Sequence, residues 1–84
     1  MAEKTVLNRL KVYRAMHDWT QEELAYRVSV TRKTINTVET GKYVPSTYLA
    51  LKLARVFQVP VEELFQLNEN VVFDDQSGSE RNTQ

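Results

Sequence analysis

Apolar residues recur at helical spacing along most of this chain, and turn-forming residues interrupt them at intervals. Leu7, Leu10 and Tyr13 fall three apart and predict a first helix over 6–17. Asp18 follows, and an Asp tolerates the left-handed conformation that ends many helices. Thr20, Gln21, Glu22 and Glu23 read as a capping box. In it the Thr hydroxyl accepts from the third backbone N–H and the Glu reaches back. Trp19 and Leu24 flank the cap as an apolar staple, and Leu24, Ala25 and Val28 form the buried stripe of a second helix. Ser29 and Val30 make a short turn. A third helix runs from about Thr31 to Gly41, with Val30, Ile35 and Val38 on its buried side. Residues 42–45 form a loop, and Ser46 caps a fourth helix that buries Leu49, Leu53, Ala54 and Phe57. Pro60 opens a fifth, short helix over 61–67 that carries Leu64 and Phe65. Val71, Val72 and Phe73 predict a brief strand or an apolar clip, and 74–84 has no periodicity.

These segments sum to one domain of 84 residues. Its parts are an extension over 1–5, a helical domain over 6–67, a strand or dimerisation clip over 68–73 and a disordered polar tail over 74–84. Apolar residues make up 42% of the chain, enough for a core. The absence of Cys excludes a disulfide scaffold, a thiolate metal site and a thiol nucleophile. The single His17 excludes a His-rich metal site, and it reads as a solvated helix-end residue. No metal, cofactor or small-molecule ligand is expected. No apolar run approaches the length of a membrane span, and the first eight residues carry no secretory region, so the expected compartment is the cytoplasm.

Formal net charge is zero, but it is unevenly distributed. From Asn8 to Arg55 nine Lys and Arg face four Asp and Glu, a surplus of five positive charges. A locally basic segment is an electrostatic footprint for a polyanion. The third helix lies within it. Its outward positions hold Arg32, Lys33, Thr34, Asn36, Thr37 and Thr40, and the Thr and Asn residues lower its helix propensity. A capped helix, a short turn and a second helix with one apolar and one donor-rich face are what a helix-turn-helix requires. Asn reads adenine, Arg and Lys read guanine, and a Thr methyl touches thymine.

The stretch TQEELAYRVSVTRKTINTVETGKYVPSTYLALKLARVFQVPVEELF resembles the lambda-repressor/Cro (XRE) type of helix-turn-helix regulator. Thr20, Gln21, Leu24, Ala25, Val28, Ile35, Glu39, Gly41, Pro45, Lys52, Ala54 and Val59 are among the residues that carry the likeness, which covers roughly 7–67. It implies an all-α fold: a five-helix DNA-binding domain, here with a candidate short C-terminal strand. It also implies binding to double-stranded DNA as a homodimer on a pseudo-palindromic operator, with repression as the expected activity. By this likeness Arg32, Lys33, Thr34, Asn36 and Thr37 contact bases. Gln21, Thr31, Lys42 and Tyr43 contact the DNA backbone, and Arg14 and Glu39 form a structural ion pair. Asp18 departs from a common Gly, and 71–73 extends past the minimal fold.

Leu51 lies off the main stripe of the fourth helix. With Phe65, Val71, Val72 and Phe73 it forms a candidate dimer surface, or else these residues close the monomer core. Tyr13 and Trp19 sit on apolar stripes and read as core, while Tyr26 and Tyr48 are left open. A second functional reading is a protein-interaction module on the same fold, such as an antitoxin or a coactivator bridge. Consecutive Glu22-Glu23 and Glu62-Glu63 diverge around their helices and make no carboxylate dyad. Without a convergent nucleophile, base and oxyanion donor, the chain is not expected to be an enzyme.

Overall fold

A computed structural model describes residues 5–69 of the chain. The elements in order are β1 (Val6–Asn8), α1 (Leu10–Met16), α2 (Gln21–Arg27), α3 (Arg32–Glu39), α4 (Thr47–Phe57), α5 (Val61–Leu64) and β2 (Phe65–Leu67). The five expected helices are present, and a small ribbon is added to them. β1 pairs antiparallel with β2 in the register Val6 to Leu67, Leu7 to Gln66 and Asn8 to Phe65. The ribbon is extended at both ends by Arg9 N–H on Leu64 O (2.9 Å) and Asn68 N–H on Thr5 O (3.0 Å).

The ribbon corrects both outer helices. The first helix begins at Leu10, not at Val6, and Leu7 is exposed on β1 instead of buried on a helical stripe. The fifth helix stops at Leu64, and the strand that follows is 65–67. In both places a partner from the far end of the chain outweighs the local helical spacing, because strand pairing satisfies the backbone groups equally well. The strand or clip read at Val71, Val72 and Phe73 lies outside the described residues, as does the tail over 74–84.

Local chemistry explains the helix starts. Thr20 accepts from Glu23 N–H at 3.0 Å, Thr31 from Thr34 N–H at 3.2 Å, and Ser46 from Leu49 N–H at 3.1 Å. Each satisfies one orphan donor of its first turn. The Glu23 carboxylate does not complete a capping box; it pairs with Arg27 one turn on, at 3.1 Å. Three non-glycine residues adopt left-handed φ between helices: Asp18 (60°), Ser29 (61°) and Gln58 (59°). Gly41, just past α3, does the same at 82°, where lack of a Cβ removes the steric cost.

The core is Leu10, Leu24, Ala25, Val28, Ile35, Val38, Leu49, Leu53, Ala54, Phe57 and Leu64, all buried and drawn from every helix. Tyr13, Trp19, Val30 and Phe65 pack against it half-buried. Trp19 stacks on Phe57 at 5.4 Å between ring centroids, with His17 at 4.6 Å and the Arg27 guanidinium 4.2 Å from the indole centroid. Arg27 is thereby held over an aromatic face by cation–π attraction as well as by Glu23. No described helix is long and apolar enough to cross a membrane.

Candidate nucleic-acid interface

α3 is an eight-residue helix with a sharply divided surface. Ile35 and Val38 are buried, Arg32, Lys33 and Asn36 are exposed, and Thr34 and Thr37 are half-buried at the flank. Packing of α3 against α2 and the core fixes which side faces out. The Thr residues that cost helix propensity are locally satisfied. Thr31 and Thr34 share a hydroxyl–hydroxyl bond at 3.0 Å, the Thr37 hydroxyl donates to Thr34 O at 2.9 Å, and the Thr40 hydroxyl to Asn36 O at 2.9 Å. With these hydroxyls bonded within their own segment, the outward donors of the face belong to Arg32, Lys33 and Asn36.

A polar network braces that face. Arg14 on α1 grips Glu39 at the end of α3 with two bonds, Nε to Oε2 at 2.7 Å and Nη2 to Oε1 at 3.2 Å. The two side chains keep only 16% and 6% of their surface exposed. A third guanidinium bond, from Nη1 to Trp19 O at 2.9 Å, fixes the fork. Arg supplies parallel donors that match a carboxylate, a geometry that gives direction as well as energy. Gln21, the first residue of α2, joins the network. Its Nε2 donates to Glu39 Oε1 (3.0 Å) and Asn36 Oδ1 (3.2 Å), and its Oε1 accepts from Arg32 Nη1 (3.3 Å). Two outward residues of α3 are thus tied through Gln21 to the part-buried ion pair.

Five of the other predicted residues meet at a second place. Lys33, Thr34 and Thr37 of α3 line one open cleft with Lys42 and Tyr43 of the following loop. The loop is folded back by Lys42 N–H and Tyr43 N–H, both on Thr37 O at 3.0 and 3.2 Å, as the left-handed Gly41 permits. Lys42 and Tyr43 are exposed there. Among the described residues Lys33 and Lys42 have no carboxylate partner within ion-pair distance. Leu51 and Phe65 come together elsewhere, on an apolar groove.

One brace is missing from the sequence reading. Asn8 of β1 donates from Nδ2 to Val38 O at 2.9 Å and to Glu39 O at 3.4 Å, while its Oδ1 accepts from Leu10 N–H at 3.1 Å. One side chain caps the start of α1 and the last carbonyls of α3 together. Placed inside the helix that the spacing of Leu7, Leu10 and Tyr13 predicts, Asn8 gave no cap signal in the sequence. Its α3 partner, 30 residues on, was not readable there. Tyr13 ties α1 to α5 in a similar way, its O–H donating to Glu63 Oε1 at 3.1 Å. Desolvation first, and the Glu63 hydrogen bond second, push the Tyr13 phenol above its ordinary range.

Comparison with known proteins agrees with this architecture. The chain is 52% identical over 58 residues to an uncharacterized HTH-type transcriptional regulator of Methanocaldococcus jannaschii, covering 69% of this chain and 88% of that one. It is 48% identical over 66 residues to an uncharacterized HTH-type transcriptional regulator of Archaeoglobus fulgidus, covering 79% and 93%. Its fold is similar to the crystal structure of a candidate DNA-binding protein from Bacteroides fragilis. That match has a TM-score of 0.66 and 30% identity, over 73% of this chain and 98% of that one. The helix-turn-helix family model matches residues 10–64, from the first residue of α1 to the last of α5, and the chain belongs to that family, in its lambda-repressor/Cro type.

Proposed function

We propose that the protein is a DNA-binding transcriptional regulator that reads double-stranded DNA by inserting α3 into the major groove. The observation that carries this reading is the outward face of α3. It pairs exposed Arg32, Lys33 and Asn36 with a bracing network and turns no apolar side chain outward. Asn36 Oδ1 keeps a second lone pair beside its bond from Gln21, and its amide N–H groups stay available for the two-point pairing with adenine. Arg32 and Lys33 suit guanine. With its hydroxyl bonded to Thr34 O, Thr37 offers its methyl to a thymine methyl, and Thr34 lies beside it. Gln21, Thr31, Lys42 and Tyr43 flank the reading face and suit phosphate oxygens. Such contacts set affinity and register but not sequence choice.

The finer reading is a cytoplasmic homodimer that represses from a pseudo-palindromic operator, with its two α3 helices about 34 Å apart in successive grooves. Support for pairing comes from the exposed apolar residues beside Phe65, among them Leu51 at 55% exposure. The sequence places Val71, Val72 and Phe73 in the same candidate surface.

Selection of bound sites from random duplex DNA, with sedimentation of the free and bound protein, tests the whole reading. The expected outcome is an enriched inverted repeat bound by two copies. Asn36→Ala is expected to cost about 1–3 kcal/mol on the enriched site and to relax specificity at one position. Lys42→Ala is expected to weaken all sequences alike and to reduce the salt slope by about 1. No enrichment, or unchanged affinity in both variants, refutes it.

A further inference from the structure

We propose that Asn8 is a positioning residue for the DNA contact: its amide holds the end of α3, so that the loop that follows keeps Lys42 and Tyr43 in place for the duplex backbone. The inference rests on the reading of α3 and this loop as the DNA-binding face. Asn8 itself lies on β1, outside α2 and α3, and acts through what it holds.

A residue that serves only to start α1 needs only an acceptor. Asn8 Oδ1 supplies it, taking Leu10 N–H at 3.1 Å. The Nδ2 of the same side chain reaches 30 residues along the chain, to Val38 O at 2.9 Å, with a longer contact to Glu39 O at 3.4 Å. Both carbonyls belong to the last turn of α3, where the helix no longer supplies partners of its own. The loop meets part of that need: Asn36 O takes Thr40 N–H, Thr37 O takes Lys42 N–H and Tyr43 N–H, and Val38 O takes Gly41 N–H at 3.1 Å. Asn8 gives Val38 O a second donor and brings one to Glu39 O.

The amide is held from behind. Asn8 pairs with Phe65 in the ribbon, and Arg9 N–H on Leu64 O at 2.9 Å fixes the next residue. Asn8, Val38, Gly41, Tyr43 and Phe65 border one small hollow, so the end of α3, the loop and the ribbon meet at this side chain. Arg14, Glu39 and Gln21 hold α3 by its side chains; Asn8 holds its backbone, at the point where the chain leaves for Lys42. Burial of Ile35 and Val38 keeps α3 seated without the amide. What the amide adds is a fixed last turn, and with it the place of Lys42 beside Lys33 and Thr37.

Asn8→Ser tests this. Ser is neutral and keeps an acceptor for Leu10 N–H, but it is too short to carry a donor to Val38 O. Affinity for a duplex selected from random DNA is measured by fluorescence anisotropy across a salt series. The native chain, Asn8→Ser, Lys42→Ala and the double variant are compared at a temperature where urea curves show all four folded. Asn8→Ser is expected to weaken binding about three- to tenfold and to reduce the salt slope by about 1, as Lys42→Ala does. The double variant is expected within about twofold of Lys42→Ala, because both changes remove one contact. If Asn8 only stabilises the fold, the salt slope is unchanged and the two losses add; either result overturns the proposal. Hydrogen exchange of the free protein is the second measurement. The Lys42 and Tyr43 amides are expected to exchange about three- to tenfold faster in Asn8→Ser, with those of Leu24 and Ile35 unchanged. Unmoved Lys42 and Tyr43 amides overturn the proposal without reference to DNA. A native chain that binds no selected duplex, with these amides released as expected, refutes the DNA reading and upholds the hold of Asn8 on the loop.

Discussion

Removing Glu39 is the sharpest test of how α3 is held. Glu39 keeps 6% of its side-chain surface exposed and accepts three bonds, two from Arg14 and one from Gln21. Glu39→Ala leaves the Arg14 guanidinium, 16% exposed, without its counter-charge. Losing one member of a fully buried pair costs about 3–5 kcal/mol, and this pair is part-buried. The guanidinium retains its bond to Trp19 O at 2.9 Å, which places the expected loss near the lower bound, about 3 kcal/mol. A domain of this size has a total stability of roughly 3–10 kcal/mol, so the variant sits close to the edge of folding. The fall in melting temperature is about 12–24 °C. Arg14→Met combined with Glu39→Leu removes both charges and keeps apolar volume, and is expected within about 1 kcal/mol of the native chain. Urea unfolding followed by the fluorescence of Trp19, the single tryptophan, measures all three proteins. A cost below about 1 kcal/mol for Glu39→Ala, or a double variant as unstable as the single one, refutes this role for the pair.

Other expectations are independent of that pair. Gln58 ends α4 at φ 59°, ψ 44°, a conformation costly for a residue with a Cβ. Gln58→Gly is therefore expected to raise stability by about 0.5–1 kcal/mol, and a lowered melting temperature would contradict it. The Tyr13 phenol is raised in the folded state, so its contribution is complete below the ordinary phenol value of about 10 and fades as pH rises through the folded value. Tyr13→Phe is expected to flatten the alkaline fall in melting temperature; an unchanged alkaline profile counts against the Tyr13–Glu63 contact. Thr20→Ala removes the α2 cap and is expected to cost about 1 kcal/mol by the same urea assay.

What the sequence revealed follows from the range of the interactions involved. α2, α3 and α4 were legible because their caps and stripes are local: Thr20, Thr31 and Ser46 each bond an N–H three residues on. The two ends differ from the local expectation because Val6–Asn8 and Phe65–Leu67 find their partners across nearly the whole domain, and nothing near either segment announces the other. The spacing of Leu7, Leu10 and Tyr13 even mimics a helix across the boundary at Arg9. The polar face of α3 was legible as a face, since burial of Ile35 and Val38 dictates what points away. Its bracing was legible in part. Arg14, Gln21 and Glu39 carry the family likeness and do meet, whereas the reach of Asn8 to α3 depends on a ribbon whose two strands lie at opposite ends of the chain.

That ribbon decides the order of assembly. Joining Thr5 to Asn68 closes a loop around all five helices, the longest such closure in the described domain, and its entropic cost must be met before three residue pairs can reward it. The clasp is therefore expected to zip last and to open first. Amide hydrogens of Arg9 and Asn68 should exchange well ahead of those in α4, while the helices beneath stay intact. Because both strands leave the body side by side, whatever is fused to either end of the domain departs from the same corner.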